Sequence, residues 1–283
     1  GQPFGNGNDD ANPDFSPGIL EISSGGEINI LQNGGVGVWV VNDLQINNVG
    51  SGAAINIAAL RVGSQTDPGT VLIQAASALS INFYVQCRGP VSATSQAGTI
   101  LIADGAQILA LANGVTNATL QLTAAANLEV GVSGGTAILE SFDQMDLTCG
   151  GSMLLRPSSA LRARNSSTDP DTDSNLTLQA GSLLTVGSGC TLDAKGAIQL
   201  SIGRPAQTDP DQVDSPTYRP AGVTASEIHI TSPGVLYWGA IGQGQLQETG
   251  SGHNFTANQR ILVFDANSHP LNIEGGTTFN AHN

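Results

Sequence analysis

The chain has 283 residues, 40% of them apolar but only 4% aromatic, with 36 glycines and a net charge of −14. Nine lysines and arginines in total are too few to neutralise a phosphate backbone or an anionic bilayer surface, which excludes nucleic-acid and membrane-surface binding as main activities. No run approaches the ~18 consecutive apolar residues that a membrane-spanning helix needs.

Charged residues make up 11% of the chain, well below the usual ~25%. The surface must therefore be built largely from Asn, Gln, Ser and Thr. Abundant Gly with small aliphatic side chains suits a thin, stacked core, and the apolar content argues against disorder. By the soft prior of ~150 residues per domain the length allows one large or two ordinary domains. Gly1 has no initiator Met before it and no basic and apolar leader after it, so it reads as a processed end. A secreted protein, extracellular or on the cell surface, is expected.

Residues 1–18 (GQPFGNGNDDANPDFSPG) form a Gly-, Asn-, Asp- and Pro-rich tail with Phe4 and Phe15 as isolated anchors. The tail is expected to lie along its own body or on a neighbouring subunit. From residue 19 the pattern changes. Leu20 and Ile22, then Ile28 and Ile30, Leu44 and Ile46, and Ile55 and Ile57 alternate with polar residues, the period-2 signal of strands buried on one face. A loop is expected near 63–70, a doublet at Val71, Ile73, Leu79 and Ile81, and a longer lateral loop near 86–97, where Pro90 precedes a Ser/Thr run.

The most regular stretch is Gly98 to Leu147. Its doublets are Ile100/Ile102, Ile108/Ala110, Leu120/Leu122, Leu128/Val130, Ala137/Leu139 and Met145/Leu147. Ile102, Leu122 and Leu139, in alternate doublets, recur at spacings of 20 and 17. A strand–turn–strand–turn unit recurring every ~20 residues predicts one coil of a β-solenoid. Insertions follow at 161–175 and 204–222, separated by the doublets of NLTLQAGSLLTVGSG and CTLDAKGAIQLSIG. ASEIHITSPGVLYWGA and QRILVFDANSHPLNIEGGTTFNAHN form the last coils. The fold predicted for residues 19–283 is all-β: a single-stranded parallel β-helix of ten to thirteen coils, expected to be right-handed, with loop insertions.

The segment GGEINILQNGGVGVWV, followed by GSGAAINIAALRVGS, resembles the secretion domain of filamentous-haemagglutinin-like exoproteins of two-partner secretion systems. That family's Asn-Pro-Asn-Gly turn matches Gln32, Asn33, Gly34 and Gly35, and its GAQINVGGLVAS-like segment matches Gly52 to Ser64. The turn here lacks its Pro, Val38-Trp39 replaces the family's Phe-Gly, and an extra strand from Val41 to Asn48 intervenes. The resemblance spans residues 19–64 and implies a β-helix.

Cys87, Cys149 and Cys190 are odd in number, so at least one thiol is free. At ~20 residues per coil, Cys149 and Cys190 would lie two coils and roughly 10 Å apart, beyond disulfide reach. All three read as buried small hydrophobes. The tripeptide Thr-Asp-Pro recurs at 66–68, 168–170 and 208–210, spacings near five and two coils, so the three would project from one edge. Asp-Pro pairs favour turns, and repeated turn chemistry explains the recurrence.

Asp169, Asp171, Asp173 and Asn175 place oxygens at alternate positions, as in the first half of a calcium loop. The Gly and bidentate Glu of a full loop are absent, since position 180 is Ala180. Solvated turn carboxylates and a calcium site are the two readings. Asp209, Asp211 and Asp214 form a looser version.

No catalytic residue is assigned. A glycosidase needs two carboxyl groups ~5–9 Å apart, and the carboxylates here sit mainly in Pro-rich insertions. His229 alternates with Ile228 and Ile230 and is expected to face outward; His253, His269 and His282 fall in loops. Trp39, Tyr237 and Trp238 are the best aromatic platforms for sugars. Sequons begin at Asn117, Asn165, Asn175 and Asn254.

Backbone hydrogen bonds in a solenoid run between coils, so each end is an open sheet edge. An end without a charged cap pairs with the next subunit in a heterologous stack. The sequence therefore predicts a homopolymer joined through solenoid ends and the N-terminal tail, forming a fibre or sheath. A haemagglutinin-like adhesin binding glycan or matrix is the alternative, and a polysaccharide lyase or hydrolase the third.

Overall fold

The computed structural model describes residues 19–32, 37–64, 68–112, 118–133, 135–163, 174–186, 190–194 and 198–202. Beyond these it describes the backbone of short strands between residues 223 and 281. Every regular element among them is a β-strand.

Successive coils supply three strand runs each. The first holds β1 (Ile19–Ser24), β2 (Ile28–Ile30) and β3 (Val38–Val40); the second holds β4 (Asp43–Asn48) and the long β5 (Ile55–Val62). Next come β6 (Val71–Ala75) with the long β7 (Leu79–Cys87), then β8 (Val91–Ser95), β9 (Ile100–Ile102) and β10 (Gln107–Ala110). The middle coils carry β11 (Leu120–Ala124), β12 (Leu128–Val130) and β13 (Ile138–Ser141), then β14 (Met145–Cys149), β15 (Ser152–Leu155) and β16 (Ala160–Ala163). β17 (Leu176–Ala180), β18 (Leu183–Val186), β19 (Thr191–Ala194) and β20 (Ile198–Ile202) follow. The described backbone ends with β21 (Val223–Thr224), β22 (His229–Ser232), β23 (Val235–Ala240), β24 (Glu248–Thr249), β25 (Asn254–Ala257), β26 (Arg260–Asp265) and β27 (Thr278–Ala281).

All pairings are parallel and join one coil to the next, the topology of a β-solenoid. The first face is a ten-stranded sheet in the order β1-β4-β6-β8-β11-β14-β17-β20-β23-β26. A second sheet of 17 strands covers the other two faces, which β5 and β7 unite because each runs along both.

The alternation seen in the sequence is the cause of this geometry. In β4, β6, β8, β14 and β17 every second side chain points inward and is buried. Register then stacks like on like. Leu122, Leu147, Leu178 and Leu200 form one ladder, all of them 0% exposed, and the ladders merge into one continuous core.

The coil, however, is longer than the sequence spacing implies. Leu122 stacks on Leu147, whereas Leu139 belongs to the third face, between Ile108 and Leu161. A doublet pattern marks strands but not which strands are neighbours, and with three runs per coil the adjacent doublets are corners of one turn. Coil length also varies: the chain from Val71 to its partner Val91 is far shorter than the chain from Met145 to its partner Leu176.

The expected lateral loop near 86–97 is not a loop. It holds the end of β7 and all of β8, with Pro90 at the corner between them. Pro90 has no N–H to offer the ladder, and its carbonyl accepts from the Val91 neighbour on the preceding coil, Val71 (3.0 Å). The insertion near 161–175 begins three residues late, since 161–163 complete β16.

The corner between the first and second faces is the tightest. Any Cβ at Gly50 or Gly181 would overlap the carbonyl of Gly25 or Gly150 in the coil before. Buried polar groups satisfy the carbonyls that turn inward there. The Asn48 amide donates to Gly26 O (2.6 Å) and accepts from Gly50 N (3.0 Å), and Ser95 Oγ serves Ser77 O and Gly98 N in the same way.

Candidate functional surfaces

The calcium-like residues Asp169, Asp171 and Asp173 lie outside the described residues. Asn175 lies just before β17, where its carbonyl accepts from Met145 N (2.8 Å). Among the described residues no three His, Cys, Asp or Glu side chains gather into a metal site. The Thr-Asp-Pro tripeptides also fall almost wholly outside, Pro68 apart.

All three cysteines are buried, and none forms a disulfide. Cys149 stacks on Ala180, while Cys190 precedes β19 on another face, so the expected two-coil alignment does not hold, although the absence of a disulfide does. Burial, with the Asp43 carboxylate adding to it, pushes the Cys87 thiol up to about 12, and burial pushes Cys149 up to about 11. These are packing residues, not nucleophiles.

Asp104 is also a structural group. Its carboxylate accepts from the backbone N–H groups of Val132 (2.8 Å), Ser133 (2.9 Å) and Gly135 (3.2 Å) and from the Ser133 hydroxyl. Led by the Ser133 hydroxyl, these bonds hold the carboxyl down at about 2.

A polar and aromatic strip runs along the third face. Outward positions in register give Trp39, Arg61, Gln86, Leu109, Glu140, Arg162 and Asp193 on successive coils. At ~4.8 Å per coil, Trp39 to Leu109 covers about 14 Å. The neighbouring outward row carries Tyr84 and Gln107.

Phe83 joins this strip through a β-bulge. Ile57 pairs with Ile81, but Ala59 pairs with Tyr84, so β7 holds one residue more than β5 at the corner. Strict alternation from Leu79 and Ile81 would bury Phe83; the bend leaves it 48% exposed instead. Its ring centroid lies 5.5 Å from that of Tyr84, at 60°. The Arg61 guanidinium stands 5.9 Å above the Tyr84 ring.

Together with Gln86, Gly105, Gln107 and Leu109 these residues line a shallow depression of about 200 Å³. A second depression, lined by Arg61, Val62, Gly63, Gln86 and Arg88, continues it. Arg162 and Arg156 are paired with Glu140 (3.8 Å) and Glu129 (3.4 Å), whereas Arg61 and Arg88 form no ion pair among the described residues. The two depressions are lined by arginine, glutamine, aromatic and small side chains, with no carboxylate, imidazole or thiol.

Of the aromatic platforms expected from sequence, Trp39 lies in this strip, with its indole N–H directed to Gly63 O (3.4 Å). Trp238 takes the register position of the core residue Leu200, and Tyr237 that of Gln199. His229 pairs with Thr191 on the third face. Phe83 and Tyr84 were missed, and the only signal for them was the adjacent pair of aromatics in a chain so poor in them.

The second candidate surface is the first edge of the solenoid. β1 ends the ten-stranded sheet and has a partner, β4, on one side only among the described residues. Its core positions are incompletely covered: Leu20 and Ile22 are half-buried and Ile19 is 53% exposed, while their successors Leu44 and Ile46 are 0% and 1% exposed. Comparison with protein-family models, curated proteins and solved structures finds no match to this chain.

Proposed function

We propose that the chain is an extracellular structural β-solenoid that assembles end to end into a cell-surface fibre or sheath. The reading is carried by the open edge at β1, where a sheet edge and half-covered core residues coincide. Such an edge is a template for another chain's strand. Stacking a second copy head to tail would extend the parallel ladder and cover Leu20 and Ile22. Because the two contacting surfaces differ, the association does not close, and it yields a filament.

Backbone direction supplies the test. Leu44 N donates forward to Thr70 O (2.9 Å), and Val49 N donates backward to Ser24 O (3.0 Å). By that alternation the N–H of Glu21, in register with Gln45, faces the open edge. Glu21→Pro therefore removes a donor from the edge and none from the β1–β4 ladder. Wild-type protein is expected to form filaments in negative-stain electron microscopy and to sediment as polymer. Glu21→Pro is expected to shift both toward short single rods with an unchanged circular dichroism spectrum. Wild-type protein that stays as single rods at high concentration overturns the proposal.

A further inference from the structure

We infer that the third-face strip around Arg61, Arg88, Phe83 and Tyr84 is a lateral binding site for a carboxylated polysaccharide, a chain of uronic-acid type. The inference stands apart from end-to-end assembly, since the strip lies on the side of the solenoid and β1 at its end.

Charge comes first. In a chain of net charge −14, two guanidinium groups sit together on one face without an ion-pair partner among the described residues, beside two connected depressions. Arg156 and Arg162, the other arginines whose side chains are described, are each paired with a glutamate. Local charge therefore opposes the global charge, and it selects an anion. The guanidinium fork matches a planar carboxylate through two parallel hydrogen bonds.

Shape and chemistry narrow the anion to a sugar. Phe83 and Tyr84 present ring surface against which the C–H face of a pyranose packs. Gln86 and Gln107 supply amide donors and acceptors on rigid strands, suited to hydroxyl groups. Outward side chains recur at ~4.8 Å from coil to coil over about 14 Å, which presents a linear polymer with a regular row of contacts. The bulge that turns Phe83 outward is the kind of local irregularity that re-aims a side chain at a site.

The test is isothermal titration of the full chain with oligogalacturonate, with neutral cello-oligosaccharide of equal length and with polyglutamate as comparators. Binding to oligogalacturonate that weakens with salt, with neither comparator bound, is the expected result. Arg61→Gln is expected to weaken it by about tenfold, the worth of one charge-assisted contact. Phe83→Ala, at an exposed position where folding is spared, is expected to weaken it severalfold. Arg156→Gln, outside the strip at the end of β15 and paired with Glu129, is the control and leaves affinity unchanged. No binding to oligogalacturonate, equal binding to polyglutamate, or full affinity in both Arg61→Gln and Phe83→Ala overturns the assignment. Circular dichroism of each variant separates lost binding from lost fold, and Arg61→Lys, which keeps the charge without the fork, is expected to recover only part of the affinity.

Discussion

Leu147→Ala tests the stacked core at its centre. Leu147 is 0% exposed and lies between Leu122 and Leu178 in adjacent coils, each also 0% exposed. The substitution removes three carbons, worth about 2.4 kcal/mol in transfer free energy at ~0.8 kcal/mol each. A globular core recovers part of such a loss by collapsing into the space. Here collapse is opposed from both sides, because hydrogen-bond ladders hold the coils ~4.8 Å apart. The cavity term therefore stays, and the total cost is about 3–5 kcal/mol. Leu20→Ala provides the contrast. Leu20 lies on the same face but in the first described coil, where it is half-buried, so its truncation costs about 1 kcal/mol. Urea unfolding of dilute protein, followed by far-UV circular dichroism, reads both. Because each coil touches only its neighbours, the Leu147 variant is also expected to unfold less cooperatively, with a smaller urea slope. A cost below about 1 kcal/mol at Leu147, or equal costs at the two sites, would refute the rigid-ladder reasoning.

The cysteines give a second measurement: with Cys87 near 12 and Cys149 near 11, a thiol reagent at mildly alkaline pH is expected to leave the native protein unlabelled and to titrate three thiols in denaturant. Rapid native labelling would contradict their burial. Asp104 gives a third. Its carboxyl falls from 3.8 to about 2 on folding, so its contribution is complete above pH ~4 and is lost as the pH drops through about 2. Asp104→Asn removes the charge, loosens the turn at Val132 and Ser133, and is expected to flatten the acid limb of the stability curve between those values; an unchanged limb would remove Asp104 as its source. Finally, Gly181→Ala would drive a Cβ into the Gly150 carbonyl, and a loss of about 1–3 kcal/mol is expected in the same urea assay. A neutral result would show that this corner yields.

The strands themselves were legible in the chain. Alternation at Leu44/Ile46, Ile100/Ile102, Leu120/Leu122 and Met145/Leu147 depends only on the two-residue repeat of a strand with one buried face, and each of these pairs is buried on one. The solenoid class followed, because many short one-faced strands with small side chains can share a core only by stacking. The burial of the three cysteines followed as well.

What the sequence by itself could not determine was which strands are neighbours. Stacking depends on coil length, and coil length depends on corners and insertions that carry no periodic signal. Leu122 thus found Leu147 and not Leu139, and the stretch near 86–97, which reads as a loop for its Pro90, proved to be continuous with the sheets. The lateral strip was hidden for the same reason. Phe83 falls on the buried phase of its strand, and it turns outward only because β7 has one residue more than β5 where the two bend around a common corner. Arg61 lies a full coil before Tyr84 and Gln86 in the chain, and Tyr84 follows a broken alternation. Only the register between coils brings the cation over the ring and makes the row a surface.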